Sequence, residues 1–148
     1  MDYIKASELT ATMLSAQPIG IPIVLCSNTP RTIRRVYEAG YKELCLNKDL
    51  SEKMMTVPQQ QRPDKILPEL YHIVSEYNSP VLLTNFEMLF DPRYKLDVLK
   101  VFCEISRTIK IVVHWCGTTS GYNLIYSEPG FPDYHVYELS KYTVISVK

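Results

Sequence analysis

Glu87 is the residue whose surroundings most suggest chemistry. It lies in an otherwise apolar run, residues 86–90, where a carboxylate is costly unless it is paired or functional. The apolar residues 81–83 before it indicate a buried strand, and Asp91-Pro92 after it predicts a helix cap followed by a first-turn proline. Strand, acidic residue and new helix are the layout of a Walker B segment, in which Glu87 would activate water. Thr84 stands where the Mg²⁺-holding aspartate would be.

A phosphate-binding loop would have to follow the first strand and read G-x-x-x-x-G-K-[ST]. Placing Arg31-Thr32 at the last two positions puts Leu25 and Pro30 at the two glycine positions. Glycines let the backbone wrap amides around phosphate, whereas leucine disfavours that conformation and proline removes a donor. An ordinary capped turn is therefore preferred over an anion site at the helix N-terminus. The candidate nucleotide-binding residues are Asn28, Arg31, Thr32 and Thr84.

Two more residues would join Glu87 in a catalytic set. His114 ends a later apolar strand, where a P-loop enzyme keeps a polar sensor, and Arg107 would reach a neighbouring subunit. Each has a structural alternative: a salt bridge or a bond to a backbone amide for Glu87, core packing for His114, and a favourable helix C-terminal charge for Arg107. Because both ends of the Mg-nucleotide site are altered together, no catalytic residue is expected.

Composition narrows the class of protein. The 148 residues predict one domain, residues 1–148, and 16 basic against 16 acidic residues argue against a bulk nucleic-acid or membrane-surface binder. No apolar run approaches the ~20 residues that cross a bilayer, and the N-terminus lacks the form of a signal peptide. Four widely spaced cysteines favour reduced thiols over zinc. We therefore expect a cytoplasmic protein without a metal.

Strand and helix patterns alternate along the chain and predict an α/β fold. The expected fold is a single-domain P-loop NTPase-like three-layer sandwich with a mainly parallel central sheet and an additional strand between Walker A and Walker B. Helices are predicted over residues 7–14, from the Thr29-Pro30 cap, over residues 47–55, from Pro68 with amphipathic spacing after it, and from Asp91-Pro92.

From Cys116 onward the chain is an extended segment rich in tyrosine. Tyrosine combines apolar area with a polar tip, so the segment predicts either packing on the sheet or a contact surface, and the pattern favours neither. The candidate partner-contact residues are Tyr122, Tyr126, Phe131, Tyr134 and Tyr137.

Several short motifs together resemble one known family. They are Leu50-Ser51 with Arg62-Pro63, residues 82–92, Ser106-Arg107, Trp115-Cys116-Gly117, and residues 126–134, which read Tyr-Ser-Glu-Pro-Gly-Phe-Pro-Asp-Tyr. From about residue 21 to residue 147 the chain resembles the small BrxF-type P-loop proteins of BREX-like bacterial phage-defence systems. The resemblance implies a P-loop fold and an accessory role in a multi-protein defence machine.

The chain departs from that family at both Walker motifs, so the resemblance implies a degenerate member without a cofactor. The expected function is a non-catalytic interaction subunit of a bacterial or archaeal defence complex, with other defence subunits, or further copies of itself, as partners and with no membrane contact. One alternative is a subunit that binds or hydrolyses ATP with Mg²⁺ through an unusual loop. A third is direct DNA contact through Arg31, Arg34 and Arg35, although a solvated face is the preferred interpretation of these arginines.

Overall fold

The apolar runs of the sequence become the strands of two sheets in the computed structural model, which describes residues 2–27 and 29–148. The strands of this part of the chain are β1 (Asp2–Ile4), β2 (Ile23–Leu25), β3 (Lys42–Cys45), β4 (Val81–Thr84), β5 (Ile111–His114), β6 (Thr118–Ser120), β7 (Asn123–Tyr126), β8 (His135–Glu138) and β9 (Ile145–Val147). Six of them form one sheet in the order β1-β9-β2-β5-β4-β3, and every pairing in it is parallel. The antiparallel strands β6, β7 and β8 form the second sheet.

Helices occupy most of the connections between the parallel strands. They are α1 (Ala11–Ala16), α2 (Pro30–Glu38), α3 (Leu46–Met54), α4 (Arg62–Ser75) and α5 (Val98–Ile105). Strand-helix alternation of this kind places helices against both faces of a parallel sheet. The predicted α/β class and parallel central sheet are confirmed.

Alternate residues of the central strands supply two separate cores. Leu82 and Val112 pack with buried residues of α1 and α2, whereas Leu83 and Val113 pack with those of α3, α4 and α5. Because successive side chains of a strand point to opposite faces, each strand contributes to both cores. These strands therefore read as continuous apolar runs in the sequence.

The second sheet packs on the α3–α5 side through aromatic side chains. The rings of Phe90 and Tyr126 stack with centroids 3.8 Å apart, and Trp115 and Tyr137 meet edge to face at 6.0 Å. Leu124 and Tyr137 of this sheet belong to the same buried core as the parallel strands. The tyrosine-rich segment is thus a folded three-stranded layer.

Three of the predicted helix starts are wrong. The predicted helix over residues 7–14 is a 3₁₀ turn, Ala6–Glu8, followed by α1, because the Thr10 hydroxyl caps α1 by accepting from Met13 N at 3.1 Å. Helix α4 begins at Arg62, and Pro68 lies inside it. Pro63 already occupies the first turn, where a proline costs no hydrogen bond.

The third wrong start is Asp91-Pro92, which opens a 3₁₀ turn rather than the α-helix. Lys95 takes a left-handed conformation, φ 51°, after that turn. Asp97 then caps α5 by accepting a hydrogen bond from Lys100 N at 3.1 Å. A second aspartate cap six residues along therefore sets the true helix start.

Candidate functional site

The candidate nucleotide site would lie where β2, β5, β4 and β3 end side by side. Leu25 of β2 is in register with His114 of β5, and Cys45 of β3 is in register with Thr84 of β4. This is the carboxyl edge of the sheet, where open α/β folds place their ligands. Thr84 and His114 therefore end neighbouring strands, as a shared site requires.

Thr84 is committed to an internal hydrogen bond. Thr84 is buried, with 6% of the residue exposed, and its hydroxyl donates to Glu43 Oε1 at 3.0 Å. The same carboxylate raises the pKa of Tyr37, after burial, which is the larger cause. Glu43 gives no signal in the sequence, yet its carboxylate interacts with both Thr84 and Tyr37.

Burial and the charge of Glu43 also affect the pKa of His114. Burial lowers the pKa of its imidazole, and the charge of Glu43 opposes that shift without reversing it. A ring with a lowered pKa is neutral at neutral pH. His114 therefore contributes a neutral polar group to the edge.

The turn at the Walker A position is a capped helix start. Thr29 is the N-cap of α2: its hydroxyl accepts from Thr32 N at 3.4 Å, and the two hydroxyl oxygens lie 2.7 Å apart. Thr32 is buried by this arrangement, whereas Arg31 is exposed to solvent. Asn28 lies outside the described residues. The hydroxyl of Thr32 is thus occupied by the cap.

Glu87 forms a hydrogen bond with Asn47, the second residue of α3. Asn47 Nδ2 donates to Glu87 Oε2, and Met88 N donates to Asn47 Oδ1 at 3.1 Å. The Asn47 backbone N–H also donates to Asn85 O at 2.6 Å. Glu87 is therefore bonded to a side-chain amide, where the sequence analysis expected a salt bridge or a backbone amide.

Cys116 lies close enough to Glu87 to interact with its carboxylate. Burial, and after it the charge of Glu87, raise the pKa of this thiol to about 12. A thiol with such a pKa is protonated at neutral pH and is a poor nucleophile. Cys26, Cys45, Cys103 and Cys116 are all free thiols and half-buried.

The three catalytic candidates lie on different faces and edges of the sheet. His114 shares the sheet face of Val112, whereas the turn that carries Glu87 packs its Phe86 and Leu89 into the core on the opposite face. Arg107 follows the C-terminus of α5, before β5 begins, and so lies at the amino edge of the sheet. General acid–base chemistry needs its groups within hydrogen-bond reach of one substrate.

The five aromatic partner-contact candidates divide by exposure. Phe131 is 59% and Tyr122 58% exposed, whereas Tyr137 is 4% exposed and accepts a hydrogen bond from Val98 N at 3.3 Å. Tyr126 and Tyr134 are half-buried. Packing on the sheet therefore applies to Tyr137, and a contact surface stays a prediction for the exposed Tyr122 and Phe131.

The three arginines of α2 also differ in their exposure and contacts. Arg31 and Arg34 are exposed, but Arg35 Nη1 donates to the carbonyl oxygens of Leu9 at 2.5 Å and Ala6 at 3.3 Å. The preferred interpretation of a solvated face is therefore wrong for Arg35. Its distant acceptors are backbone carbonyls, which no side-chain pattern signals.

Within residues 2–27 and 29–148, no helix has the length and apolar character that crossing a membrane requires. The same residues hold no group of three or more histidine, cysteine, aspartate or glutamate side chains placed to bind a metal ion. Comparison of the chain with protein-family models, curated proteins and solved structures gave no match.

Proposed function

We propose that this protein is a non-catalytic subunit of a bacterial or archaeal anti-phage defence complex and acts by binding other proteins. The observation that carries the proposal is the hydrogen bond from Thr84 to Glu43 at the end of β4. The oxygen at the Mg²⁺-binding position of a Walker B strand is neutral here and donates its proton to a neighbouring carboxylate. The polar groups of this edge bind one another.

The sheet order supports descent from a P-loop scaffold. Strand β5 lies between β2, which precedes the Walker A position, and β4, which holds the Walker B position. A P-loop fold with an additional strand between the two motifs would have a strand in this position. A parallel sheet with α2 directly after β2 is what the resemblance to BrxF-type proteins implies.

The residues present do not fit a magnesium ion. Mg²⁺ in nucleotide sites is held by one or two carboxylates together with phosphate oxygens and water, in near-ideal octahedral geometry. Thr84 offers a neutral hydroxyl, and the Thr32 hydroxyl is engaged with Thr29. The carboxylate beside Thr84 is Glu43, which already accepts the Thr84 hydroxyl, and Glu87 belongs to a turn that packs on the opposite face from His114.

Exposed aromatic residues supply a surface for partners. Aromatic side chains are enriched at interfaces and dominate binding hot spots. Tyr122 and Phe131 are both more than half exposed. The proposed contact surface therefore includes these two members of the tyrosine-rich segment.

Co-purification from the native host tests the proposal. A tagged chain is expected to isolate other defence subunits, and the double change Tyr122→Ala with Phe131→Ala is expected to weaken their recovery while leaving the melting temperature unchanged. The matched control is Tyr37→Ala, an exposed tyrosine on α2. Elution of the tagged protein alone, or full recovery of partners by the double variant, contradicts the proposal.

The ATP-binding alternative is favoured by one observation, the exposed Arg31 in the first turn of α2. A thermal-shift titration with Mg-ATP separates the two functions, because a ligand at ~100 times its dissociation constant adds about 2.7 kcal/mol of stability. We expect no shift. A shift that Arg31→Ala abolishes would establish the alternative.

A further inference from the structure

A pocket of about 440 Å³ lies between the turn that carries Glu87 and the loop that follows Gly130. Its walls combine carboxylates with aromatic and other apolar side chains. They include Glu87, Met88, Asp91, Tyr94, Phe131 and Asp133. The pocket opens beside Phe131, the most exposed of the aromatic contact candidates.

The charge of this pocket is negative. Asp91 is paired with Arg93, whose Nη2 lies 2.6 Å from Asp91 Oδ2. Among residues 2–27 and 29–148, no cationic nitrogen lies within salt-bridge distance of Glu87 or Asp133. Both charges act on one side chain, Tyr126, whose pKa is raised by burial first and then by nearby groups that include Asp133 and Glu87.

The apolar walls restrict the kind of cation that fits. A small hydrated metal ion gains nothing from a phenylalanine ring, whereas a guanidinium or ammonium on an aliphatic stem packs against aromatic faces and pairs with carboxylates. The exposed ring of Phe131 and the half-buried ring of Tyr94 are the aromatic walls.

We propose that this pocket receives an arginine or lysine side chain of a protein partner. The inference rests on the proposed function and names the chemistry of the partner segment: a basic residue that presents its charge to Glu87 and Asp133 and its stem to Phe131. Phe131, Pro132 and Asp133 of the tyrosine-rich segment form one wall of the pocket, and the turn that carries Glu87 forms another.

Nuclear magnetic resonance with small probes tests the pocket in the intact chain. The probe is N-acetyl-arginine methylamide, and its control is the citrulline analogue, which has a similar shape without the charge. Arginine is expected to shift the amide resonances of residues 87–94 and 131–133, with affinity falling about fivefold or more as salt rises from ~50 mM to ~500 mM. Equal shifts with citrulline, or none with arginine, overturn the proposal.

Substitutions of Asp133 and Phe131 test whether these residues bind the probe. Asp133→Asn and Phe131→Ala are each expected to raise the dissociation constant of the arginine probe about fivefold or more. The control is Glu138→Gln, an exposed carboxylate on β8 that does not line the pocket and pairs with Lys141. Unchanged affinity in Asp133→Asn, or an equal loss in Glu138→Gln, contradicts the assignment.

Different experimental results would contradict the pocket assignment and the proposed function. If the wild-type chain isolates partners from its host and Asp133→Asn isolates them equally well, the pocket assignment is wrong and the interaction role stands. If arginine binds the pocket and the wild-type chain isolates nothing, the interaction role is wrong. Loss of partners in Asp133→Asn, with an unchanged melting temperature, supports both.

Discussion

Asn47 stabilises the Glu87 turn through both ends of its side-chain amide. One end donates to the Glu87 carboxylate and the other accepts from Met88 N. The turn that contains the catalytic candidate Glu87 is therefore stabilised by the hydrogen bonds of Asn47.

Replacing Asn47 by alanine leaves Met88 N and the Glu87 carboxylate without these partners. We expect Asn47→Ala to lower the free energy of unfolding by about 1–3 kcal/mol, the range for unsatisfied buried groups. Glu87→Gln retains an acceptor for Asn47 and should cost less than about 1 kcal/mol. Urea denaturation measures both, with the exposed Asn78→Ala as control. A larger loss in Glu87→Gln than in Asn47→Ala would contradict this assignment.

His114 makes stability depend on pH. Burial lowers the pKa of the folded-state imidazole, so below about pH 6.5 the unfolded chain binds a proton that the folded chain resists. The free energy of unfolding should therefore fall as the pH drops from about 6.5 toward the lower folded-state pKa.

The His114→Gln variant removes this titration, so its stability should fall less than that of the wild type between about pH 8 and pH 5.5. Urea midpoints at several pH values measure the difference. At the upper end both states are neutral at this position, and the gap between the two proteins there is the baseline. An unchanged gap across the range contradicts the interpretation.

At the scale of elements, Arg35 of α2 binds the segment before α1. Its guanidinium donates to the carbonyls of Ala6 and Leu9, and Leu9 is fully buried in the core that α2 covers. One side chain thus joins a helix to a segment that has little regular secondary structure.

Arg35→Ala is expected to lower the free energy of unfolding by about 2 kcal/mol, since hydrogen bonds to charged groups contribute about 1.5–3 kcal/mol. Arg34→Ala, an exposed neighbour on the same helix, should change it by less than about 0.5 kcal/mol. Hydrogen exchange at residues 6–9 should rise in Arg35→Ala alone. Equal effects of the two changes would rule out the contact as their cause.

Elements with strong local patterns were predictable, and those set by distant contacts were not. Residues 81–83 and 111–113 read as buried strands because each is apolar throughout, and the Thr29-Pro30 cap marked the start of α2. Asn47 gave no signal, because its two side-chain partners lie about 40 residues away in sequence. The amphipathic spacing after Pro68 was recognised, yet the helix began a turn and a half earlier.

At the scale of the whole molecule, an aromatic cluster connects the two sheets. The Phe90 ring contacts the rings of Trp115, Tyr126 and Tyr137, with centroids 5.9, 3.8 and 6.3 Å away. The sequence showed that these aromatic residues are numerous but left packing and partner contact as alternatives, since exposure depends on the folding of the segment as a whole.

Phe90→Ala should lower the free energy of unfolding by about 3–5 kcal/mol, the range for truncating a buried phenylalanine. Phe131→Ala removes the same ring from an exposed site and should cost less than about 0.5 kcal/mol. The single tryptophan, Trp115, reports the change directly. Its emission should shift to longer wavelength in Phe90→Ala only, and an unshifted spectrum would contradict this role of the cluster.

The position of β9 inside the parallel sheet has a kinetic consequence. It pairs with β1 on one side and β2 on the other, in register at Asp2 and at Ile23. Both pairings close loops of more than ~100 residues, and contacts so distant in sequence slow folding because chain entropy is lost before they form. Until β9 arrives, β1 has no neighbour in the sheet and β2 has an open edge beside it. We expect β3, β4 and β5 to gain protection from hydrogen exchange first during refolding, and β1 to gain it last.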